Sequence, residues 1–295
     1  MDQSGQIIIL RIIKYSDPTK MPYIRILRVL TPLLAVSLSV VSAAGAFLPD
    51  TYERDAAFFA TQGIGQDLVD LFLVVPLLLL TFYSARRDSR RGMLLYGGVL
   101  AYIMYSFVIY AFGLHFNRFF LLYCSTLGLS LYAFIVWMKG MGSLDWSGPF
   151  RGLPVRVRSV FLILVGVIFY GLWLSSVIPS IINDTVPEEI LTNDFLINPV
   201  HVLDMSFALP GLIISGILLW RRQSLGYLLT AVSLVFIILL TIALGAMVLM
   251  LRIREISEEF TVAIIFGAIC IVSAILLIPM LRSLKRSNQI QHSDE

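Results

Sequence analysis

The chain has 295 residues, 58% of them hydrophobic and 14% charged, against roughly 45–50% and about 25% in soluble domains. That composition excludes a soluble globular fold, which would need far more polar surface. The net charge of +3 comes without a dense basic stripe, which argues against nucleic acid as a partner. Cys124 and Cys270 each lie in an apolar stretch and form no CxxC, so dithiol chemistry is not indicated either.

In chain order, a polar segment over 1–27 precedes apolar blocks near 28–48, 64–84, 92–113, 118–138, 159–182, 200–220, 225–250 and 261–281. Blocks of about 20 residues match a hydrocarbon core of about 30 Å. They must be helices, because lipid offers backbone N–H and C=O groups no partner, and barrel strands would be about half as long. The expected fold is therefore an all-α integral membrane protein with eight transmembrane helices in contact with the lipid bilayer.

Basic residues orient it. With the N-terminus in the cytoplasm, all of the 22 Lys and Arg except Arg54, Arg118, Arg252 and Arg254 fall in cytoplasmic segments. This is the bias of the positive-inside rule, and it places a multi-pass protein in the plasma membrane with both termini cytoplasmic. The basic leader and the small residues Ser42, Ala43, Ala44 and Gly45 also imitate a signal-peptide cleavage site.

An internal repeat argues that the first span is retained. At an offset of 134, residues 50–100 align with 184–234 without a gap, pairing Asp50 with Asp184, Thr51 with Thr185, Asp70 with Asp204, Pro76 with Pro210, Arg87 with Arg221 and Gly92 with Gly226. Arg118 and Arg252 obey the same offset. The expected organisation is a first four-helix repeat over 28–140, a cytoplasmic linker over 141–158, a second four-helix repeat over 159–282 and a polar tail over 283–295. Four spans per unit is an even number, so the repeats are parallel and related by a pseudo-twofold along the membrane normal.

Asp70 and Asp204 are the positions most informative about chemistry, each about six residues, or about 9 Å, below the outer end of its span. A carboxylate at that depth needs protein, water or a cation beside it. Asp67 and His201 precede them by three residues on the same helical face. The resulting D-x-x-D and H-x-x-D patterns are candidates for substrate or ion binding, and with His115 they form a candidate ligand set for a divalent metal. A plainer reading makes Asp67 a helix cap and His115 a solvated loop residue. Pro76 and Pro210 are expected to kink their helices, freeing the carbonyls of Phe72 and Ser206.

Tyr102, Tyr105, Tyr110, Asn117 and Tyr123 offer further polar lining, although Tyr110 and Tyr123 read better as interfacial anchors. Ser125, Thr126, Gly128, Gly97 and Gly98 read as close helix packing. The outer loops are acidic, which favours cations at the mouth.

No phosphate loop, nucleophile elbow or H-E-x-x-H is present. The function expected first is transport or permeation of a small solute or cation through an acidic site near the extracytoplasmic side. A membrane-embedded metal-dependent enzyme acting at the outer leaflet comes second, and a non-catalytic membrane partner or sensor third.

Overall fold

The structure, a computed structural model, describes residues 22–87, 89–150 and 152–293, with side chains as far as Leu284. Most of the expected N-terminal segment, including Arg11, Lys14 and Lys20, lies outside the described residues. So do Arg151 and the side chains of Lys285, Arg286 and His292.

Eight helices among the described residues are long and apolar enough to cross a membrane: α1 (Tyr23–Phe47), α2 (Ala57–Ala85), α3 (Arg90–Gly113), α4 (Phe120–Met141), α5 (Val155–Ile182), α6 (Pro199–Trp220), α7 (Ser224–Ile253) and α8 (Thr261–Leu284). Their order and number are those expected from the apolar blocks. The largest difference is at α2, which begins two turns earlier than its apolar block. Asp70 therefore lies about 20 Å from the start of its helix and Asp204 about 8 Å from the start of α6, at 1.5 Å per residue. The residues 134 positions after the first turns of α2 are instead the end of the short helix Glu188–Thr192 and the loop after it.

The α3 and α7 helices pack against each other at the centre. The α2 helix lies on α1, α3 and α7. The α6 helix lies on α5 and α7 and meets α3 at its first turn, while α4 joins α1 to α3 and α8 rests on α7. Enclosure follows position: 72% of the most apolar stretch of α3 is buried, against 11% for α5 and 17% for α8. The peripheral helices turn Leu164, Ile168, Ile264 and Ile271 outward, as helices bathed in lipid do.

Close approach at the centre depends on missing side chains. A Cβ on Gly65 would stand 2.7 Å from the Ala246 carbonyl oxygen and 2.8 Å from the Met247 Cα, and one on Gly98 would stand 2.3 Å from the Val235 Cβ. Gly97 makes room for the Trp137 ring, whose indole N–H donates to the Met93 carbonyl at 2.9 Å. Of the small residues on α4, Thr126 is buried and hydrogen-bonded to Ser37 at 2.7 Å, whereas Gly128 faces open space.

Loops 48–56, 114–119, 183–198 and 254–260 share one end of the bundle, and their carboxylates make it acidic. The opposite end is basic. There Arg91 donates to the Leu281 carbonyl at 2.6 Å and the buried Arg158 to the Leu276 carbonyl at 3.0 Å, so two guanidinium groups satisfy backbone acceptors of α8. The connection between α4 and α5 is packed rather than loose. Trp146 and Phe150 are buried, the Trp146 N–H donates to Ser224 Oγ at 2.8 Å, and Phe150 stacks on Tyr227.

Gly65→Ala should lower stability by about 1–3 kcal/mol, since the new methyl group meets backbone that has no room to yield. Gly171→Ala, where nothing lies within 4 Å, should leave the melting temperature in detergent unchanged. Equal melting temperatures for the two variants would contradict the close α2–α7 contact.

Candidate functional site

The α2 and α6 helices share a local irregularity. Each contains a five-residue π-helical turn, Asp70–Val74 and Asp204–Ala208, that begins at the aspartate and ends two residues before the proline. The Val75 N–H bonds to the Asp70 carbonyl and the Leu209 N–H to the Asp204 carbonyl, both five residues back. Proline follows at once and has no N–H to continue the pattern. In this register the carbonyl left over in α6 belongs to Met205, not Ser206, and the Tyr170 hydroxyl of α5 donates to it. Single π turns of this kind widen a helix locally and are frequent at functional sites.

Both aspartates at the head of these turns are held by tyrosines of α3. The Tyr102 hydroxyl donates to Asp70 Oδ1 at 2.8 Å and the Tyr105 hydroxyl to Asp204 Oδ1 at 2.8 Å. Asp204 is completed by the Trp173 indole N–H of α5, at 2.8 Å from Oδ2. Asp70 is not completed: among the described residues its buried Oδ2 has no hydrogen-bond partner. The central helix thus offers one phenol to the aspartate at the head of each π turn.

Asp67 sits one turn before Asp70 and is as deeply buried, both being 0% exposed. Its Oδ2 accepts the Tyr52 hydroxyl and its Oδ1 the Tyr110 hydroxyl at 3.1 Å. The carboxylate presses against α1 at Gly45, where a Cβ would fall 1.8 Å from Oδ2. Tyr110 meets Tyr123 edge-on, and Asn117 donates to both the Tyr123 hydroxyl and the Thr51 carbonyl at 3.2 Å. Asp67 therefore lies ten residues inside α2 and does not cap it. Tyr110 and Tyr123 are core residues and not interfacial anchors.

His201 is placed by its own sequence. Asn198 caps α6, accepting the Val200 and His201 N–H groups at 3.0 and 3.4 Å, and Pro199 fits the first helical position, where no N–H is needed. The imidazole lies on the Trp173 ring at 4.4 Å, with Nδ1 4.0 Å from Glu189. Burial pushes the Glu189 carboxyl up, but the Ser176 hydroxyl at 2.5 Å, its own backbone and His201 outweigh it and hold the group below its ordinary range.

His115 belongs to a different neighbourhood. Its N–H and Nδ1 meet Asp55 Oδ1 at 2.8 and 3.0 Å, and Nε2 lies 3.5 Å from Asp194. With Phe59 edge-on to Phe195, it ties the acidic-end loops of the two halves together, and it is not a free loop residue.

The candidate residues thus form separate groups: Asp67 and Asp70 together, Asp204 with His201 near Trp173, and His115 on Asp55 and Asp194. Among the described residues, no three His, Cys, Asp or Glu side chains are gathered as a metal site requires, so the expected ligand set of Asp67, Asp70, His201, Asp204 and His115 is not assembled. No lysine, arginine or histidine among the described residues lies within 4 Å of the carboxylates of Asp67, Asp70 or Asp204. Tyr52, Trp173 and Tyr170 complete the site but carry no sequence signal, since an aromatic in a loop or on a peripheral span reads as an anchor. No protein-family model, curated protein or solved structure matches the chain.

Tyr102→Phe and Tyr105→Phe each remove the donor to a buried carboxylate oxygen. Each should cost about 1–3 kcal/mol in thermal unfolding, while Tyr132→Phe, on an exposed ring, should cost nothing measurable. Wild-type stability in both buried variants would show that these phenols do not hold the acids.

Proposed function

We propose that the protein is a proton- or cation-coupled transporter of a small solute, with Asp67 and Asp70 as the ion site. One observation carries this reading: two carboxylates one helical turn apart, both fully buried, are met by the neutral phenols of Tyr52, Tyr110 and Tyr102 and by no ion-pairing cation among the described residues, and one oxygen of Asp70 lies within hydrogen-bond distance of no donor among them. Two like charges that close in a medium of low dielectric repel strongly, and neutral donors cannot offset both. The pair is stable with one charge replaced by a proton or balanced by a bound cation. A site that must gain and keep a cation in mid-membrane is suited to coupling.

The reading extends to the second half. We treat the halves as parallel repeats related by a pseudo-twofold along the membrane normal, supported by π turns, aspartates and prolines that share the 134-residue offset. The basic end is then cytoplasmic and the acidic end extracytoplasmic. The α3 and α7 helices are the counterparts at the centre, and the tyrosines of α3 serve both aspartate turns. Asp204, with both oxygens occupied, is the static member of the pair, and Asp70 is the one with capacity to take a proton or ion. Widened π turns followed by proline supply the freedom for α2 to exchange partners during a cycle.

Proteoliposomes with a trapped pH dye and an imposed pH gradient test this. With mixed L-amino acids and alkylamines outside, Asp67→Asn and Asp70→Asn should each slow solute-dependent proton movement at least tenfold. Movement at the wild-type rate in both variants would remove the proposal.

A further inference from the structure

At the acidic end a cleft of about 480 Å³ opens between the last turn of α1, the loop 48–56, the first two turns of α2 and the stretch after α7. Its size falls in the range of small-ligand sites, about 300–1,000 Å³. Its walls combine three kinds of chemistry. Glu53 and Asp55 supply carboxylates, Arg254 supplies a guanidinium, and Ile64 and Ile256 supply aliphatic surface. The floor includes Tyr52, whose hydroxyl is spent on Asp67.

The charges of the cleft do not neutralise one another. Arg254 makes no ion pair among the described residues. Asp55 keeps Oδ1 on His115, while its buried Oδ2 has no donor among the described residues, on a side chain only 2% exposed. A buried carboxylate oxygen without a donor is costly, and a ligand in the adjoining cleft can supply that donor. An unpaired guanidinium in the same cleft seeks anionic oxygens.

We infer that this cleft binds a small zwitterion, its ammonium group on the Asp55 and Glu53 side, its anionic group on Arg254 and its apolar body along Ile64 and Ile256. The inference rests on the transport reading above and names the substrate class for it. The ligand's ammonium end lies on the wall shared with Tyr52, one hydrogen bond from Asp67, so occupancy of the cleft and protonation of the buried pair communicate through a single phenol. A free α-amino acid and the phosphoethanolamine headgroup of a lipid both carry this chemistry.

Calorimetric titration of the purified full-length chain in detergent separates the cases. The probes are L-leucine, 3-methylbutylamine, which lacks its carboxylate, 4-methylpentanoate, which lacks its ammonium, and a short-chain phosphatidylethanolamine. At least one of the two zwitterions should bind tenfold or more tightly than both single-charge analogues, and whichever does so names the source. Arg254→Gln, at an exposed position, should keep the wild-type melting temperature and erase that advantage while leaving amine affinity unchanged. Asp55→Asn should weaken the amine as well. Zwitterions that bind no better than the analogues, or an advantage that survives Arg254→Gln, would overturn the inference. Because the titration needs no gradient, its failure leaves the Asp67–Asp70 reading standing, and wild-type proton movement in the Asn variants leaves the binding result standing.

Discussion

The cost of removing water from a carboxylate organises the centre of this bundle. Asp67 and Asp70 have no basic partner within 4 Å among the described residues, and the groups that meet them are neutral donors or gaps left by glycine. Gly45 gives α1 no side chain where Asp67 lies, and Gly65 lets α2 approach the backbone of α7 on its other side. Tyr52 leaves its loop to reach inward, and three tyrosines of α3 point their hydroxyls at acids. The most enclosed helix is thus the one that presents polar groups, and the apolar residues of the outermost helices face lipid.

The two halves solve the same local problem differently. In the second half, Trp173 and Tyr105 between them occupy both oxygens of Asp204, Tyr170 takes the carbonyl freed by the proline, and His201 rather than a second acid lies one turn earlier. In the first half the earlier position is Asp67, and Asp70 keeps an unused acceptor. A satisfied carboxylate resists change, and an unsatisfied one is where a proton or ion can be gained. This difference, more than the shared offset, is what favours α2 over α6 in the proposed reading. The lengthened start of α2 lies in this first half and forms one wall of the cleft at the acidic end.

Much of the architecture was readable from the sequence because bilayer thickness fixes span length, and lipid forbids unpaired backbone. Eight apolar blocks therefore became eight helices. Asp70 and Asp204 stand out for the same reason, as charges where charges are expensive, and Asp67 through its spacing from Asp70. Other features were hidden because they depend on tertiary partners. Nothing local distinguishes Tyr110, which holds Asp67, from an anchoring tyrosine, or Tyr52 from any loop aromatic. Proline was read as a kink, yet the π turn ahead of it moves the free carbonyl by one residue, to Met205 in α6. His115 and His201 satisfied the spacing logic of metal ligands, but the fold sends them to Asp55 and to Trp173 instead.

The central claim is that the Asp67–Asp70 pair holds one charge and not two unless a cation is bound. Infrared difference spectroscopy of the protein in lipid, followed over the pH range in which it stays folded and in the absence of metal ions, reads this directly through the carbonyl stretch of a protonated, buried carboxyl group. The account predicts such a band in the wild type, its disappearance at high pH, and its loss in Asp67→Asn and Asp70→Asn but not in Asp204→Asn. Spectra with both carboxylates ionised throughout, or a band that persists in both Asn variants, would contradict it.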